Sequence, residues 1–389
     1  MSATASLYSA VDEEITLYDV DVEAATLTRR SSIRAVSFVQ YAWPHPSREH
    51  LYVSTSNRGP GLKADINHVN AYRIDARTGA LTPHGEPVTL RQRAAHMCLD
   101  PAGRFALNAH NVPVPGITIH RIEADGAIGA EAMQLEGLNF GTYPHQVRMT
   151  PSGRTVIDVD RGNSAAHGKS EDPGALRSFA FGDGVLSNAA VVAPEGGYGF
   201  GPRHIDFHPD KPWLYVSDER RSRLYMFRFP NERIEAQAAY TCDTLADRAN
   251  EKPRQLAGTI HVHPSGRFVY VCNRADYTVE HAGQKAFGGG ENSIAAFSID
   301  PSSGEPKPLQ HADTRSYHVR TFAFDPSGRL MVCASIKPIK VRDGAGVRTV
   351  PSSLSVFRVG ADGRLDHART YDVDASGKTQ YWMGIVGRG

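Results

Sequence analysis

The 389-residue sequence contains 17 histidines, and several of them recur beside arginine or carboxylate residues. Imidazoles, and carboxylates in tuned surroundings, can transfer protons near neutral pH. A guanidinium presents a planar pair of donors that suits a carboxylate or a phosphate. Together these residue types favour acid/base chemistry on a small anionic substrate. The candidate residues are His96, Asn108, His110, His145, Asp160, Arg161, Arg203, His204, Asp218, Glu219, His261, Asn273, Arg274, His318, Arg320 and Ser335.

Other catalytic chemistries are disfavoured by the residue pattern. The sequence has no Gly-x-Ser-x-Gly nucleophile elbow, and its four cysteines share no Cys-x-x-Cys spacing. The candidate set is richer in His and Arg than in the clustered carboxylates that calcium prefers. We therefore expect no covalent nucleophile, no metal ion and no other cofactor.

A repeated phrase supplies the elements that would position these residues. Its Pro-Ser-Gly-Arg core predicts a tight turn, because Pro fixes φ and Gly accepts a positive φ. Apolar, β-branched runs on both sides make each copy a predicted β-hairpin. The copies are HPSREHLYVSTSN (45–57), DPAGRFALNAHN (100–111), TPSGRTVIDVDRGN (150–163), HPDKPWLYVSDER (208–220), HPSGRFVYVCNRAD (263–276) and DPSGRLMVCAS (325–335).

Seven alternating outer strands accompany these six hairpins. The unmatched one, ITLYDVD at 15–21, precedes the first hairpin, and TQYWMGIVG at 379–387 could supply the missing inner strand. Self-similarity at this period is typical of a propeller, and pairing of the two ends would close the ring. We therefore predict an all-β fold, a single seven-bladed β-propeller domain over residues 1–389 that is closed by its N- and C-terminal strands.

Hairpin geometry predicts where the candidate residues meet. The residue that begins the inner strand lies beside the residue that ends the second strand, at one end of the central channel. This places His, Arg, Asp and Glu from five blades at one mouth, with the Pro-Ser-Gly turns at the other. Burying several charges around one axis is costly unless they pair or bind a ligand. We therefore expect this mouth to be a ligand site.

Three longer inserts leave the ends of second strands, so we expect them on the same face as the candidate residues. They occupy 163–174, 280–292 and 336–352, and we interpret them as long loops. Loops of this length are more often functional than ordinary connectors. The glycine run at 288–290 lacks the strand–helix context of a phosphate-binding loop and is interpreted as a flexible loop tip.

Three segments resemble the seven-bladed propeller lactonase family, which contains bacterial 6-phosphogluconolactonases and fungal carboxy-cis,cis-muconate lactonizing enzymes. They are YPHQVRMTPSGR (143–154), GPRHIDFHPDKPWLYVSDE (201–219) and AGTIHVHPSGRFVYVCNR (257–274). The resemblance runs along essentially the whole chain and implies a cofactor-free enzyme that makes or opens a lactone ring. Residues with a proposed role in the muconate branch match His145, Arg203, Glu219 and Arg274.

The preferred interpretation is a lactonase that hydrolyses a sugar lactone such as 6-phosphogluconolactone. His145, Glu219 and Arg274 are the predicted catalytic residues. Arg274 would polarise the ester carbonyl, and either Glu219 or His145 would activate water while the other protonates the leaving alkoxide. The predicted substrate-binding residues are His96, Arg161, Arg203, His204, Asn273, His318 and Arg320.

Two alternatives remain open at this stage. Arginines that face a dicarboxylate would suit a muconate-type cycloisomerase equally well. A non-catalytic propeller that serves as a binding platform is the second alternative, although the sequence has no Trp-Asp dipeptide and no kelch-like repeat. The residues predicted at the mouth are polar and would form a site of small-molecule size, which favours an enzyme over a platform.

Charge and hydropathy limit the partners. A net charge of +1 argues against a nucleic-acid or anionic-membrane partner. No segment approaches the roughly 18 apolar residues of a membrane span. The start of the chain, MSATASLYSAVDEE at 1–14, has no basic and apolar leader pattern. We expect a cytoplasmic enzyme that is a monomer or weak oligomer.

Overall fold

The computed structural model describes residues 5–60, 62–166 and 168–388, which form a ring of seven four-stranded antiparallel sheets. This confirms the predicted seven-bladed propeller. The predictions that touch residues 1–4, Gly61, His167 in the first insert, and Gly389 lie outside the described residues. No helix in the described part of the chain has the length and apolar character needed to cross a membrane.

The strands are numbered in chain order, with three single-turn 3-10 segments at Pro194–Gly197, Pro230–Glu232 and Arg248–Asn250. They are β1 (Ala5–Val11), β2 (Glu14–Asp21), β3 (Thr26–Arg34), β4 (Phe38–Pro44), β5 (His50–Ser56), β6 (Asn67–Ile74), β7 (Leu81–Thr89), β8 (Ala94–Leu99), β9 (Phe105–His110), β10 (Gly116–Ile122), β11 (Ile128–Glu131), β12 (Pro144–Met149), β13 (Thr155–Asp160), β14 (Ala175–Gly182), β15 (Val185–Val192), β16 (Pro202–Phe207), β17 (Trp213–Asp218), β18 (Arg223–Arg228), β19 (Tyr240–Asp243), β20 (Gln255–Val262), β21 (Phe268–Ala275), β22 (Thr278–His281), β23 (Gln284–Phe287), β24 (Ser293–Ile299), β25 (Pro306–Asp313), β26 (Val319–Phe324), β27 (Leu330–Ser335), β28 (Ile339–Asp343), β29 (Gly346–Val350), β30 (Ser352–Val359), β31 (Leu365–Val373) and β32 (Gln380–Gly387).

Blades 1 to 7 are named in chain order of their inner strands. Blades 1 to 4 are β4–β7, β8–β11, β12–β15 and β16–β19, each from the inner to the outer strand. Blade 5 is β20, β21, β24 and β25, and blade 6 is β26, β27, β30 and β31. Blade 7 is β32, β1, β2 and β3, so it joins the two ends of the chain. The predicted closure is therefore confirmed.

The repeated turns connect neighbouring blades as well as neighbouring strands. In blade 1 the Nε2 atom of His45 donates to the carbonyl oxygen of Gly103 in the blade 2 turn, at 3.1 Å. A Cβ atom on Gly103 would lie 2.1 Å from that nitrogen, so only glycine fits there. His208 and His263 donate to Gly266 and Gly328 in the same way, both at 2.9 Å. These histidines are accounted for by structure.

The apolar core lies between the blades rather than in a single centre. One cluster between blades 7 and 1 contains buried residues such as Tyr8, Val39, Val53 and Trp382. A second cluster, between blades 6 and 7, contains Met383. The closing strand β32 therefore contributes alternate side chains to both of its neighbours, as a strand with one blade on each side must.

Two of the three inserts are not loops, which corrects the interpretation from sequence. The strands β22–β23, which begin at Thr278 and overlap the insert at 280–292, and the strands β28–β29, within 336–352, form two-stranded ribbons. The ribbons pack side by side, with Lys340 Nζ donating to Gln284 Oε1 at 2.6 Å. The first ribbon turns at Ala282 and Gly283, where both φ angles are positive. The glycine run at 288–290 follows the ribbon and is not its tip.

Truncating Trp382, a buried aromatic residue of the closing strand β32, tests the importance of the closure. Trp382 is 4% exposed, so Trp382→Ala should destabilise the fold by about 3–5 kcal/mol through lost burial and a residual cavity. Urea unfolding followed by circular dichroism would measure the loss. Met133→Ala, at a site that is 90% exposed, is the control and should leave the midpoint unchanged. Equal midpoints for the two variants would contradict this role of β32.

Candidate active site

Each inner strand carries one β-bulge near its start. In blade 1, Val39 pairs with Thr55 and Tyr41 pairs with Ser54, which leaves Gln40 as an extra residue. Bulges of this kind re-aim a side chain and are frequent beside active sites. From blade 1 to blade 7 the extra positions are Gln40, Ala95, His145, Arg203, the pair Gly258–Thr259, Arg320 and Tyr381. Five of them line one cavity: Gln40, Ala95, His145, Arg320 and Tyr381.

This cavity has a volume of about 780 Å³ and a marked excess of positive charge. Its size is that of a small-molecule site. The charged residues that line it are Arg93, Arg161, Arg254, Arg274, Arg320 and Lys337 against Asp12, Glu219 and Asp276. Such an excess in a partly enclosed space favours an anionic ligand.

Glu219 is the anion around which three of the arginines are arranged. Its Oε1 atom lies 3.0 Å from Arg203 Nε and accepts a hydrogen bond from Arg274 Nη2. Its Oε2 atom accepts from Arg161 Nη1 at 3.0 Å. Burial alone would raise the pKa of this carboxyl, but Arg274, Arg161 and Arg203 lower it to about 2. Glu219 therefore stays ionised and orients the guanidinium groups.

Three imidazoles lie beside this cluster. His145 is 8% exposed and lines the cavity. Its ring centroid is 5.3 Å from that of His204, which in turn is 5.6 Å from that of His96. Burial, together with the charge of nearby arginines such as Arg203, holds the pKa of all three well below the usual value. They are neutral near pH 7, so His145 presents a proton-accepting group to the cavity.

Two of the arginines that contact Glu219 have a second contact, with an aromatic ring or with a histidine. The guanidinium of Arg161 lies 4.0 Å from the ring centroid of Tyr143. Arg274 Nη1 donates to His318 Nε2 at 3.4 Å. The pKa of His318 is lowered by burial and by Arg274, and its Nδ1 atom lies 3.6 Å from Asp276. These contacts fix the orientations of the two guanidinium groups.

Some predicted residues lie away from the cavity. Asn273 uses its amide to donate to Ser293 Oγ at 3.1 Å and to the carbonyl oxygen of Thr244, so it ties blade strands together. Asn273 is not among the residues that line the cavity, and its predicted role in substrate binding stays a prediction. Both ring nitrogens of His110 are likewise hydrogen-bonded within the protein, Nδ1 to the Arg93 carbonyl oxygen at 3.1 Å and Nε2 to Thr118 Oγ1.

Three further predicted residues lie behind the cavity wall. His96 and His204 are buried and are not among the residues that line the cavity. Arg203 is almost fully buried, and burial together with Arg274 lowers its pKa to about 9. From these positions the three side chains can hold Glu219 and His145 in place, but they do not face the space that a small molecule would occupy.

Sequence reasoning missed several residues that line the cavity, although a positional rule would have found some. Every bulge residue from blade 1 to blade 6 lies six positions before the turn proline, with Gly258 in blade 5. This rule selects Gln40 as well as His145, Arg203 and Arg320. Tyr381 has no turn phrase after it, and Arg93, Asp276 and Lys337 lie outside the inner strands, so only the fold identifies them.

Within the described ranges, no three His, Cys, Asp or Glu side chains are grouped as a metal site would need. The cavity is instead built from arginine, carboxylate, neutral imidazole and phenol groups. This donor set suits binding of an anion and proton transfer.

Comparison with known proteins gives the following relationships. The family described as "Lactonase, 7-bladed beta-propeller" matches residues 3–341. The 6-phosphogluconolactonase of Bacillus subtilis (strain 168) is 25% identical over 332 residues, covering 83% of this chain and 84% of the relative. That of Cronobacter sakazakii is 26% identical over 338 residues, covering 87% and 89%. The solved Pseudomonas aeruginosa periplasmic gluconolactonase shares the fold, with a TM-score of 0.74, 21% identity, and coverage of 99% of this chain and 100% of that one.

Neutralising Glu219 tests its structural role. Glu219→Gln leaves buried guanidinium groups without a counter-charge and should destabilise the fold by about 3–5 kcal/mol at pH 7. Urea unfolding would measure this free energy. Glu14→Gln, which breaks the exposed pair with Arg29, is the matched control and should cost less than about 1 kcal/mol.

The difference in stability between wild type and Glu219→Gln should depend on pH. Because the pKa of Glu219 falls from an ordinary 4.5 to about 2 in the fold, its contribution is complete above pH 4.5. The difference between wild type and Glu219→Gln should shrink as the pH falls toward about 2. A difference that is constant over this range would contradict the ionised state assigned to Glu219.

Proposed function

Because the chain belongs to the seven-bladed β-propeller lactonase family and is accordingly a lactone hydrolase, we propose that it opens an anionic sugar lactone in the 780 Å³ cavity. The observation that carries this proposal is the arginine cluster held by Glu219 beside a neutral His145. The relatives named 6-phosphogluconolactonase support a sugar lactone. The excess of cations supports a phosphorylated or carboxylated one.

The arginines act on the carbonyl oxygen. When water attacks the lactone carbonyl carbon, that oxygen gains negative charge, and a fixed cation nearby stabilises the charge. Arg274 lines the cavity and is already oriented by Glu219 and His318. No reorganisation of the guanidinium is then needed during the reaction, which is why preoriented donors are effective.

His145 is the general base in this proposal. Sequence reasoning left the choice between His145 and Glu219 open. A carboxylate with a pKa of about 2 is a weak proton acceptor, which favours the imidazole. The pKa of His145 is depressed by burial and then by the charge of Arg203. A bound anion would offset that charge and raise the pKa of His145 toward the working pH.

Loss of Arg274 should impair turnover. In a panel of aldonolactones followed by proton release, Arg274→Ala should lower kcat by roughly 10²–10³-fold, the effect of removing one oxyanion donor. Arg121→Ala, which removes an exposed arginine paired with Asp183, is the control and should keep the wild-type rate. Prior dialysis against EDTA should leave the wild-type rate unchanged. Near-normal turnover of Arg274→Ala would refute its assigned role. If the wild-type protein consumed an added muconate but hydrolysed no lactone, the proposed hydrolysis itself would be refuted.

Charge recognition should make the enzyme prefer a phosphorylated substrate. The kcat/KM for 6-phosphogluconolactone should exceed that for gluconolactone, because the cavity has twice as many cationic as anionic lining residues. Raising the salt from about 0.1 M to about 1 M shortens the screening length from about 10 Å to about 3 Å, so the preference should diminish. The uncharged lactone is the internal control. A preference for the uncharged lactone at every salt concentration would contradict an anionic substrate.

A further inference from the structure

The proposed hydrolysis needs a group that protonates the leaving oxygen. When the bond between the carbonyl carbon and the ring oxygen breaks, a sugar alkoxide is released, and an alkoxide is a poor leaving group without a proton. Glu219 is held as a carboxylate by three arginines, and His145 is neutral and accepts a proton in the first step. Among the predicted catalytic residues, only protonated His145 could then supply this proton, and its ring would have to reach both the attacking water and the ring oxygen. A second proton donor in the cavity would remove that requirement.

Tyr381 has the position that the role requires. It is the bulge residue of β32, is 7% exposed, and lines the same cavity as His145. Its Oη atom accepts a hydrogen bond from Arg93 Nη2 at 3.1 Å. Arg93 is itself held by Gln40, because Arg93 Nε donates to Gln40 Oε1 at 2.6 Å. The phenol oxygen is an acceptor in this contact, so its own hydrogen is free for a ligand.

The charges around Tyr381 favour release of that hydrogen. The guanidinium of Arg320 lies 3.8 Å from the ring centroid, and its Nε atom donates to the Tyr381 carbonyl oxygen at 3.2 Å. Burial alone would raise the pKa of the phenol, but Arg320 and Arg93, with smaller effects from Arg203 and Arg274, bring it below the usual value of 10. The other tyrosines with shifted values, such as Tyr8 and Tyr52, are shifted upward.

We propose that Tyr381 is the general acid of the reaction and donates its phenolic proton to the ring oxygen of the lactone. This inference rests on the lactonase function proposed above. Water forms the new bond to the carbonyl carbon as His145 takes one of its protons. The carbonyl carbon–ring oxygen bond then breaks as Tyr381 supplies a proton to the ring oxygen. Solvent finally carries the proton of His145 back to the Tyr381 phenolate, and the net product is the hydroxy acid.

Removal of one hydroxyl tests the proposal, because Tyr381→Phe keeps the ring beneath Arg320. On gluconolactone, whose leaving group is an alkoxide, kcat should fall by roughly 10²-fold or more while KM changes little. On dihydrocoumarin, whose leaving group is a phenoxide that needs no proton, kcat should be nearly unchanged. Wild-type kcat should also fall at alkaline pH as the phenol ionises, and Tyr381→Phe should lack this decline.

The control is Tyr371→Phe, which removes a hydroxyl that accepts a hydrogen bond from Leu27 N at 3.0 Å in the contact between blades 6 and 7. It should resemble wild type on both substrates. A Tyr381→Phe kcat within about threefold of wild type on gluconolactone would overturn the proposal. So would an equal loss on both lactones, or an unchanged alkaline decline if dihydrocoumarin is not turned over. Wild-type protein that is inert toward every lactone would instead overturn the lactonase function itself.

Discussion

The departure from regular pairing at the start of each inner strand is the constraint on which this site depends. Seven strands meet around one axis. In six of them a single residue, and in blade 5 the pair Gly258–Thr259, interrupts the ladder at an equivalent place. A regular strand would alternate its side chains between the two neighbouring blades. A bulge re-aims the side chain, and at five of the seven positions the bulge residue lines the cavity. The ring of bulges thereby allows a repeated structural unit to present different side chains around one cavity.

The charge arrangement explains why polar residues can be buried here. A buried guanidinium is costly, and a single carboxylate that contacts three of them offsets much of that cost. Glu219 is therefore the counter-ion of three arginines, yet the residues that line the cavity still carry an excess of positive charge. Burial, and after it the charge of the arginines, lowers the pKa of the adjacent imidazoles and keeps them neutral. One electrostatic balance thus orients the guanidinium groups and keeps the imidazole of His145 able to accept a proton.

The fold was predictable because its signals are local and repeated, whereas part of the site was not. The turn phrase requires Pro and Gly for conformational reasons, and six copies of it establish the hairpins. His145, Arg161, Arg274 and Arg320 were found because they adjoin those hairpins. Tyr381 belongs to the one inner strand without the phrase. The ribbons β22–β23 and β28–β29 are not predictable from the sequence, because two short strands stabilise each other mainly through packing that sequence alone does not display.

Closure of blade 7 also constrains the order of events during biosynthesis. β1 pairs with β2 beside it in the chain, but its other neighbour is β32, which is separated from it by most of the sequence. While the ribosome is still translating blades 1 to 6, β1 has an exposed edge, and buried residues such as Leu7 and Tyr8 lack their partners. Such long-range pairing is slow to form. The nascent chain is therefore expected to need protection from aggregation until its last strand emerges.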